Sequence, residues 1–488
     1  MWGEFWDKRA KRVKAKMDDA HIGDTVLDIS SGTGALATPL ANIAKHVTAI
    51  EKMRDKKMVL LEMMVVLCLL FLEALPVIAA EQNQEMQKAS ASEVKTSSEG
   101  DFVLGIYGNA NEDDTIDMRD VTYIKLVIFG KKPETKFCDA NYDGRISMLD
   151  VVQTKLIIVG KEGELTIVDS ANRIVTVREP VKKIIPLSDP HADVIRVLEA
   201  ENNVVGVTTG IAREKTLLPE MSKMPTVGSG WKPDIEKIIE LQPDIVIHYV
   251  TWAPELEEKL EPAGISVIRL NFTMPEEIPE EVIKLGYVLN KRSRAEEFVD
   301  WYNSYMNIIK SRTKELSEEE KPRVYIELYP DIWENKAFGG GSSGDRQCEI
   351  AGGINIAREL PSTAEVDPEW VIRQDPEIII QVVTSKAPSG YGVDDITGVK
   401  AVREKEMSRP EFQNITAIRN GNVYVMASDI RCGIQGIICI AYWAKWFHPD
   451  LFTDLDPQAI HQEYVNRFQR IDYDIKEHGV FVYPPLES

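Results

Sequence analysis

Two segments of the chain place oxygen-bearing groups at the same spacing, and this repeat limits the fold more than any other feature. In the second segment, loop positions 1, 3, 5, 7, 9 and 12 are held by Asp139, Asn141, Asp143, the carbonyl of Arg145, Ser147 and Asp150. In the first segment, the same positions are held by Asn109, Asn111, Asp113, Thr115, Asp117 and Asp120. Oxygen ligands at this spacing are typical of calcium-binding loops. The sequence therefore predicts two calcium ions as cofactors, one in each loop.

The two loops differ at position 6, where the chain must turn sharply. The second loop has Gly144 there, whereas the first has Asp114. Because Asp is one of the few side chains that tolerates a left-handed backbone, we expect the first loop to be weakened and not abolished. An apolar helix follows each loop, over residues 120–130 and 150–160, so a loop-and-helix unit occurs twice.

Paired loops that end in Asp120 and Asp150, with Lys125 and Lys155 at equivalent helix positions, resemble a dockerin. The resemblance covers residues 101–162. It implies a small all-α calcium-binding module whose partner is a cohesin-containing protein. By the same resemblance, the cohesin-facing side chains are Met118, Arg119, Lys125, Met148, Leu149 and Lys155. Because the two copies differ at these positions, we do not expect two equal binding faces.

Charge and cysteine content exclude several classes of function. A net charge of -21 disfavours nucleic acid and anionic membrane surfaces as partners, since both would be repelled. Five cysteines are too few for a disulfide scaffold, although a bridge from Cys348 to Cys432 or Cys439 is open. The seven histidines are scattered with none at zinc spacing, so no catalytic metal is expected.

Residues 53–80 have the order of a secretory signal: a basic region, an apolar run and a small-residue cleavage site. Glu62 and Glu73 interrupt the apolar run and disfavour a membrane span, and an uncleaved signal anchor is the alternative. Residues 81–100 are rich in Gln, Ser, Lys and Glu and are typical of a flexible linker. The sequence therefore predicts an extracytoplasmic protein, either secreted or associated with the cell surface.

The residues before this signal carry a different pattern. Residues 26–35 form a strand that enters a Gly-rich turn, and residues 47–51 form a second strand that ends in Glu51. This pattern resembles the cofactor loop of class I methyltransferases, but the resemblance ends at about residue 52. We interpret residues 1–52 as a truncated, non-catalytic fragment, with Met53 as the plausible start of the protein.

From residue 163 onwards, strands alternate with helices, which predicts parallel sheets covered on both faces. Residues 165–169 and 174–177 flank a turn and predict a hairpin that precedes the alternating region. The expected fold class is α/β, with two doubly wound lobes over residues 163–275 and 321–488. One long helix over residues 276–320 is expected to join them, because this stretch contains few helix-breaking residues.

One sequence pattern that predicts a helix followed by a strand occurs once in each lobe, over residues 235–247 and 366–380. With the hairpin and the two-lobed layout, it makes residues 163–485 resemble the iron-complex and cobalamin family of substrate-binding proteins of ABC importers. The resemblance implies an ABC permease as partner and assigns Glu236 and Glu369 to permease docking. Paired charges of this kind orient an encounter and accelerate it.

Ligand contacts are expected in the loops at the carboxyl ends of strands. The candidates are Ser188, His191, Trp231, Tyr249 and Trp252 in the first lobe, and Tyr329, Trp333, Ser342, Ser343, Thr384, Tyr391 and Arg431 in the second. Aromatic faces suit a large chelate, and an arginine suits its anionic groups. No Tyr, His and carboxylate set is spaced to hold a bare ferric ion, so a small-molecule metal chelate is the expected ligand.

No nucleophile with its base and no carboxylate pair at catalytic spacing is present, so an enzyme is not expected. The sequence favours an extracytoplasmic solute-binding protein for an iron siderophore or a corrinoid, tethered to a cohesin by the calcium-dependent module. The alternative is a cell-surface assembly component in which the dockerin carries the function and the lobes serve as a spacer.

Overall fold

The computed structural model describes residues 102–486, all of which belong to one compact unit. The predictions for the methyltransferase-like fragment at 1–52, the signal at 53–80 and the linker at 81–100 fall outside the described residues. Within the described part, no helix is both long enough and apolar enough to cross a membrane. The four cysteines of that part are unpaired, and a bridge from Cys348 to Cys432 or Cys439 is therefore not formed.

The helices are α1 Met118–Ile128, α2 Met148–Ile158, α3 Asp189–Val197, α4 Ile235–Leu241, α5 Leu256–Leu260, α6 Ile278–Val288, α7 Arg292–Thr313, α8 Ser343–Ile350, α9 Pro368–Gln374, α10 Thr397–Met407, α11 Thr416–Asn420, α12 Gly436–Phe447 and α13 Pro457–Glu463. The strands are β1 Glu164–Val168, β2 Ile174–Arg178, β3 Ile184–Pro186, β4 Ile245–His248, β5 Ser266–Arg269, β6 Arg323–Leu328, β7 Lys336–Phe338, β8 Ile354–Asn355, β9 Thr363–Glu365, β10 Ile378–Val383, β11 Val423–Ala427 and β12 Val482–Tyr483.

Helices α1 and α2 begin in the same way, as the sequence repeat predicts. Each starts with a capping box, formed by Asp117 with Asp120 in α1 and by Ser147 with Asp150 in α2. The side chain at the cap accepts from the backbone of the first turn while the acid three residues later accepts from the cap, which satisfies amides that the helix leaves free. The two helices pack against each other through Val121, Ile124 and Val151.

The first lobe consists of the predicted hairpin and a parallel sheet. Strands β1 and β2 pair antiparallel from Glu164–Arg178 to Val168–Ile174. Strands β3, β4 and β5 form a parallel sheet in that order. The strands of this sheet are buried almost throughout, as expected for a parallel sheet covered on both faces.

The second lobe is a seven-stranded sheet in the order β12, β11, β10, β6, β7, β9, with β8 also pairing with β6. The central strands β11, β10 and β6 are parallel, and β12, β7 and β9 are antiparallel additions. The carboxyl ends of its parallel strands and those of the first lobe supply the loops in which ligand contacts were expected.

The connection between the lobes corrects one prediction. Residues 276–320 do not form one long helix, because α6 ends at Val288 and α7 begins at Arg292. Asn290 adopts a left-handed backbone with φ of +51° at the break. The two helices then pack closely, so that a Cβ at Gly286 would lie 2.5 Å from the Cβ of Ala295.

A single hydrophobic core runs through both lobes and reaches the loop-and-helix module. It includes Ile116 of the first loop, Ile195 of α3, Tyr302 of α7 and Ile438 of α12. The module is therefore packed onto the first lobe and does not hang from a flexible tether. A backbone bridge between Ile106 and Ile167 extends the hairpin into the module.

Candidate functional site

Aromatic side chains at the carboxyl ends of the first lobe's strands form one cluster. The rings of Trp231 and Trp252 stack at 3.5 Å between centroids, and Tyr249 meets Trp252 edge-on at 4.9 Å. Trp231 is 68% exposed although its neighbours are half-buried. An exposed indole stacked on a supported one presents a preformed aromatic face to solvent.

The loop that carries this cluster is fixed by a fully buried arginine. Arg269, at the end of β5, donates to the carbonyls of Tyr249 at 2.6 Å and Trp252 at 2.5 Å. Its charge is balanced by Glu257, whose carboxylate it contacts at 2.7 Å. The aromatic face is therefore held by hydrogen bonds to its backbone, which leaves the rings free for a ligand.

His191 does not reach the cleft, which corrects its prediction as a ligand contact. Its side chain is completely buried, with Nδ1 against the hydroxyl of Ser188 and Nε2 2.7 Å from the carbonyl oxygen of Leu270. Burial lowers the pKa of His191 to about 3, so the ring is neutral. Its ring lies 4.9 Å from that of Tyr249, so His191 supports the aromatic cluster from behind.

In the second lobe, Tyr329, Trp333, Ser343 and Arg431 come together. The rings of Tyr329 and Trp333 lie 5.8 Å apart. Arg431 Nη1 donates to Ser343 Oγ at 3.1 Å, and its guanidinium lies 4.5 Å above the ring of Phe338. Four predicted residues from three segments of the chain thus lie in one region of the second lobe.

Arg431 is a buried cation without a carboxylate partner. It is 6% exposed, and within residues 102–486 no Asp or Glu oxygen lies within 4.0 Å of its guanidinium. Its Nε is buried and has no hydrogen-bond partner. Because a buried charge is costly unless it is paired, this arrangement suits an anionic group supplied by a ligand.

The loops that carry the two aromatic sets approach each other at the lobe boundary. Burial raises the pKa of Tyr249 most, a hydrogen bond with Ser188 opposes the shift, and Cys432, Asp189 and Tyr329 add smaller increases. Cys432 and Tyr329 belong to the other lobe, so their influence shows that Tyr249 lies close to them. Pro190 and Gly433 bring the same two segments together, since a Cβ at Gly433 would lie 2.9 Å from Pro190.

Three predicted contacts are engaged elsewhere. Ser342 caps α8 by accepting from the amide of Asp345, and Thr384 donates its hydroxyl to Asp331 at 2.5 Å. Tyr391 lies at the lobe boundary, where its hydroxyl donates to Gln435 at 2.9 Å and contacts His461. Ser342 and Thr384 therefore shape loops, and their role as ligand contacts stays a prediction.

Sequence reasoning missed four carboxylates at the same lobe boundary: Asp189, Asp193, Glu214 and Asp429. Asp189 directly follows Ser188 at the end of β3, and Asp429 follows β11. Their place after strands was a usable signal, because that is where ligand loops were sought.

The helix-and-strand pattern that is repeated in the two lobes begins with an equivalent helix in each. Helices α4 and α9 have seven residues each, are capped by Asp234 and Asp367, and end in left-handed residues. Glu236 and Glu369 occupy the second position of these helices and are exposed. The structure thus gives each lobe one exposed carboxylate in an equivalent place.

The second loop is braced by its predicted calcium ligands. Asp139 accepts from the amides of Asp143 at 3.1 Å and Gly144 at 2.8 Å, and Asp150 accepts from Asn141 and Ser147. Gly144 has φ of +83°. These hydrogen bonds hold the second loop in a tight turn.

The first loop differs from the second at loop positions 6 and 1. Asp114 does not adopt a positive φ, so the left-handed turn considered for it is not formed. Asn109 donates its amide to Leu104 and Asp113, which leaves its buried Oδ1 without a partner. An orphaned oxygen at position 1 fits a cation ligand. In the described chain, however, no three Asp, Glu, His or Cys side chains converge on one point, so amide, hydroxyl and carbonyl oxygens must complete either site.

The side chains predicted to face a cohesin are accessible. Met118 and Met148 are each 54% exposed, and Leu149 is 60% exposed. The surface that packs against the connecting helices α6 and α7 is a different one. There Arg292 donates to Thr115 Oγ1 at 2.6 Å and to the Ile116 carbonyl at 3.0 Å, while the Ile116 amide donates to Tyr287.

Three recesses lie elsewhere in the described chain. They have volumes of about 350 Å³ between the end of α2 and the turn from α6 to α7, about 980 Å³ beside β2, and about 320 Å³ around Glu327. Only the last of these three touches the aromatic sets, through Trp333. We place the ligand site between the lobes, because there the strand ends meet and a buried cation lacks its partner.

Comparison with known proteins agrees with this geometry. A family model described as "Periplasmic binding protein" matches residues 184–430. An uncharacterized ABC transporter substrate-binding lipoprotein, YvrC of Bacillus subtilis (strain 168), is 24% identical over 296 residues, which are 59% of this chain and 87% of the relative. The iron-uptake system-binding protein of the same organism is 21% identical over 221 residues, 42% of this chain and 62% of the relative.

A solved structure has the same fold. The TroA-like periplasmic binding protein FepB from Veillonella parvula superposes with a TM-score of 0.57 at 22% identity, covering 65% of this chain and 98% of its own. The predicted two-lobed α/β architecture is thereby confirmed. The relatives are transporter binding proteins, which agrees with the expectation that the chain is not an enzyme.

Proposed function

The chain belongs to the periplasmic binding protein family and is a substrate-binding protein of the ABC transporter type, and we propose that its ligand is a metal chelate, either an iron siderophore or a corrinoid. The observation that carries the proposal is that Arg431 has no carboxylate partner among the described residues, while Trp231 and Trp252 form a stacked aromatic face in the other lobe. A buried arginine suits an anionic oxygen of the chelate, and the indoles suit its apolar periphery.

The comparisons support a ligand that contains a metal, but they do not identify the chelate. One relative is an iron-uptake system-binding protein, which supports iron as the metal. Both lobes contribute to the proposed site, so binding would hold them at a fixed distance. The continuous core between them supports a small adjustment on binding in place of a wide closure.

The proposed partner is an ABC permease located at the membrane, with the chain on its extracytoplasmic side. Glu236 and Glu369 are the proposed contacts, supported by their equivalent exposed positions on α4 and α9. One carboxylate on each lobe would let the permease sense the spacing of the lobes. Exposed charges of this kind favour correct orientation during the encounter more than they tighten the complex.

A second role is favoured by the exposed apolar side chains of the loop-and-helix module. We propose that residues 101–162 bind two calcium ions and dock onto a cohesin through Met118, Met148 and Leu149. Burial raises the pKa of Asp120 to about 6, an increase opposed by the amides of Asp117 and Asn111 and enhanced by Asp113 and Asp117. A divalent cation beside these carboxylates would offset their repulsion. Should the lobes bind no ligand, this module would carry the function.

Titration of the full chain by tryptophan fluorescence tests the proposal. Ferric siderophores, haem and cobalamins are added in turn, and saturable quenching by one class is expected. Trp231→Ala should weaken that binding about tenfold or more, because the exposed ring supplies contact area. Phe129→Ala is the matched control, since Phe129 is 71% exposed and lies at the end of α1. Failure of every class to bind a folded chain would overturn the proposal.

A further inference from the structure

The four carboxylates at the lobe boundary, Asp189, Asp193, Glu214 and Asp429, form what we term the acidic cluster. Asp189 begins α3, and Asp193 follows one helical turn later on the same face. The segment that carries Glu214 passes close by, since a Cβ at Gly210 would lie 3.2 Å from Asp189 Oδ1. The cluster therefore combines three acids of the first lobe with one of the second.

Asp429 is fixed from the second lobe. Its Oδ2 accepts from the amide of Tyr391 at 3.4 Å. The adjoining Gly390 has φ of +88°, and a Cβ there would lie 1.9 Å from Asp429 Oδ2. Glycine is therefore required for this loop to pack against the carboxylate. The packing of this loop therefore fixes the position of Asp429 at the lobe boundary.

The charges of the acidic cluster are not neutralised by the protein. Among residues 102–486, no Lys, Arg or His nitrogen lies within 4.0 Å of any of the four carboxylates. Asp193 is 5% exposed; its Oδ2 accepts from Gln435 Nε2 at 2.9 Å, but its Oδ1 is buried without any partner. A buried carboxylate oxygen without a donor is costly, which points to a donor brought by a ligand.

The carboxylates also repel one another. Burial followed by the charge of Asp429 raises the pKa of Asp189 to about 6, and burial followed by Asp429 and Asp189 raises that of Glu214 to about 7. Arg213 opposes both shifts. The four acids are thus near enough to share one electrostatic environment, and they span the two lobes.

The chemistry of the partner follows from the spacing. In the described part of the chain no three carboxylates converge tightly enough to ligate a single metal ion. A protonated amine is larger than a bare ion, and its N–H groups can donate to several carboxylates at once. Asp189 also lies close to Tyr249 of the aromatic cluster, so one ligand can reach both.

We propose that the transported ligand carries a protonated amine, which lies against Asp189, Glu214 and Asp429 and donates toward Asp193, while the chelate body contacts the aromatic rings and Arg431. This inference rests on the proposed function and narrows its ligand class. It favours chelates with a pendant cationic group over chelates that are anionic throughout.

A matched pair of ligands tests the inference on the full chain. One is a ferric trihydroxamate chelate with a pendant primary ammonium, and the other is the same chelate with that amine acetylated. By calorimetry, the cationic form should bind about tenfold tighter or more, the size expected when charge-assisted hydrogen bonds are lost. Asp429→Asn and Glu214→Gln should each reduce that preference, whereas the exposed Glu220→Gln in the same lobe should not. Thermal unfolding of each variant confirms that it is folded.

The outcomes separate this inference from the proposed function. Equal affinity for the two chelates, or tighter binding of the acetylated form, would overturn the cationic ligand. Binding of neither form, when an anionic or neutral chelate from the panel does bind, would also overturn it while leaving the proposed function intact. Absence of binding to every chelate would overturn both.

Discussion

Arg119 and Asp113 form an ion pair at 3.0 Å across the first loop, with the arginine also 2.9 Å from Asp117. Both acids are proposed calcium ligands, so the guanidinium occupies oxygens that the cation needs. In the second loop the equivalent of Arg119 is Leu149, which makes no ion pair. The two loops therefore differ in charge as well as in their turn residue.

Replacing Arg119 with Leu should strengthen calcium binding at the first loop. The variant frees Asp113 and Asp117, and because an exposed ion pair is worth at most about 1 kcal/mol, we expect a two- to about fivefold gain in affinity. Calcium titration by calorimetry, with the two sites fitted separately, measures the effect. Arg145→Leu serves as the control in the second loop, where the side chain makes no ion pair to a ligand. An unchanged or weakened first site would contradict the competition.

The packing of the module on the connecting helices α6 and α7 depends on Arg292. Arg292→Ala removes donors to Thr115 and Ile116 and should lower the free energy of unfolding by about 1–3 kcal/mol. The loss should appear as faster hydrogen exchange in the first loop. Arg312→Ala is the matched control on the same helix, since Arg312 pairs with the exposed Asp454. A loss no greater than that of the control would show that the module is held by other contacts.

Glu179 makes stability depend on pH. Burial raises the pKa of Glu179 to about 8, opposed by the amide of Val181 and assisted by Glu162 and Asp244. In the unfolded chain a Glu titrates near about 4.3, so between these values the folded state holds more protons. The free energy of unfolding therefore falls as pH rises from about 4.3 to about 8, by up to about 1.4 kcal/mol per pH unit, and levels off above.

Denaturant unfolding across this pH range checks the prediction. Glu179→Gln should flatten the profile and leave the protein more stable than the parent near pH 8. The control Glu164→Gln changes an exposed acid in the same lobe and should preserve the slope. A parental slope in the Glu179 variant would assign the pH dependence to another group.

Reversing the charge of Glu236 or Glu369 should impair transport without impairing binding. Each side chain is exposed, so Glu236→Arg and Glu369→Arg should leave ligand affinity and unfolding temperature unchanged. Uptake by cells that depend on the chain should drop severalfold, since like charges would meet at the permease. Glu240→Arg on the same helix as Glu236 is the control. Normal uptake in both variants would remove these residues from the docking surface.

Local patterns in the sequence were sufficient for many elements. Helix α4 begins at Ile235, the first residue of the predicted helix-and-strand segment, and the hairpin formed by β1 and β2 lies where its turn residues place it. The break between α6 and α7 was not predictable, because residues 287–295 contain neither proline nor glycine. It is imposed by tertiary packing, in which Gly286 allows the second helix to lie against the first.

The site was predicted in part for a similar reason. Aromatic residues after strands pointed to Tyr249 and Tyr329 as candidates, because each follows a strand of its own lobe's sheet. The proximity of Asp189 to Asp429 depends on how two separate lobes meet, which no local pattern contains. The interior position of His191 also depends on packing, since a histidine after a strand is equally compatible with a ligand contact.

The most direct test of the central claim is coelution of metal with the full chain. The chain is mixed with each chelate in turn, passed through a gel-filtration column, and its metal content is measured. We predict that one class of chelate coelutes with the protein at one metal per chain and that Trp231→Ala lowers this ratio. Metal that elutes only with the small molecules, for every chelate and a folded chain, would contradict a role in chelate transport.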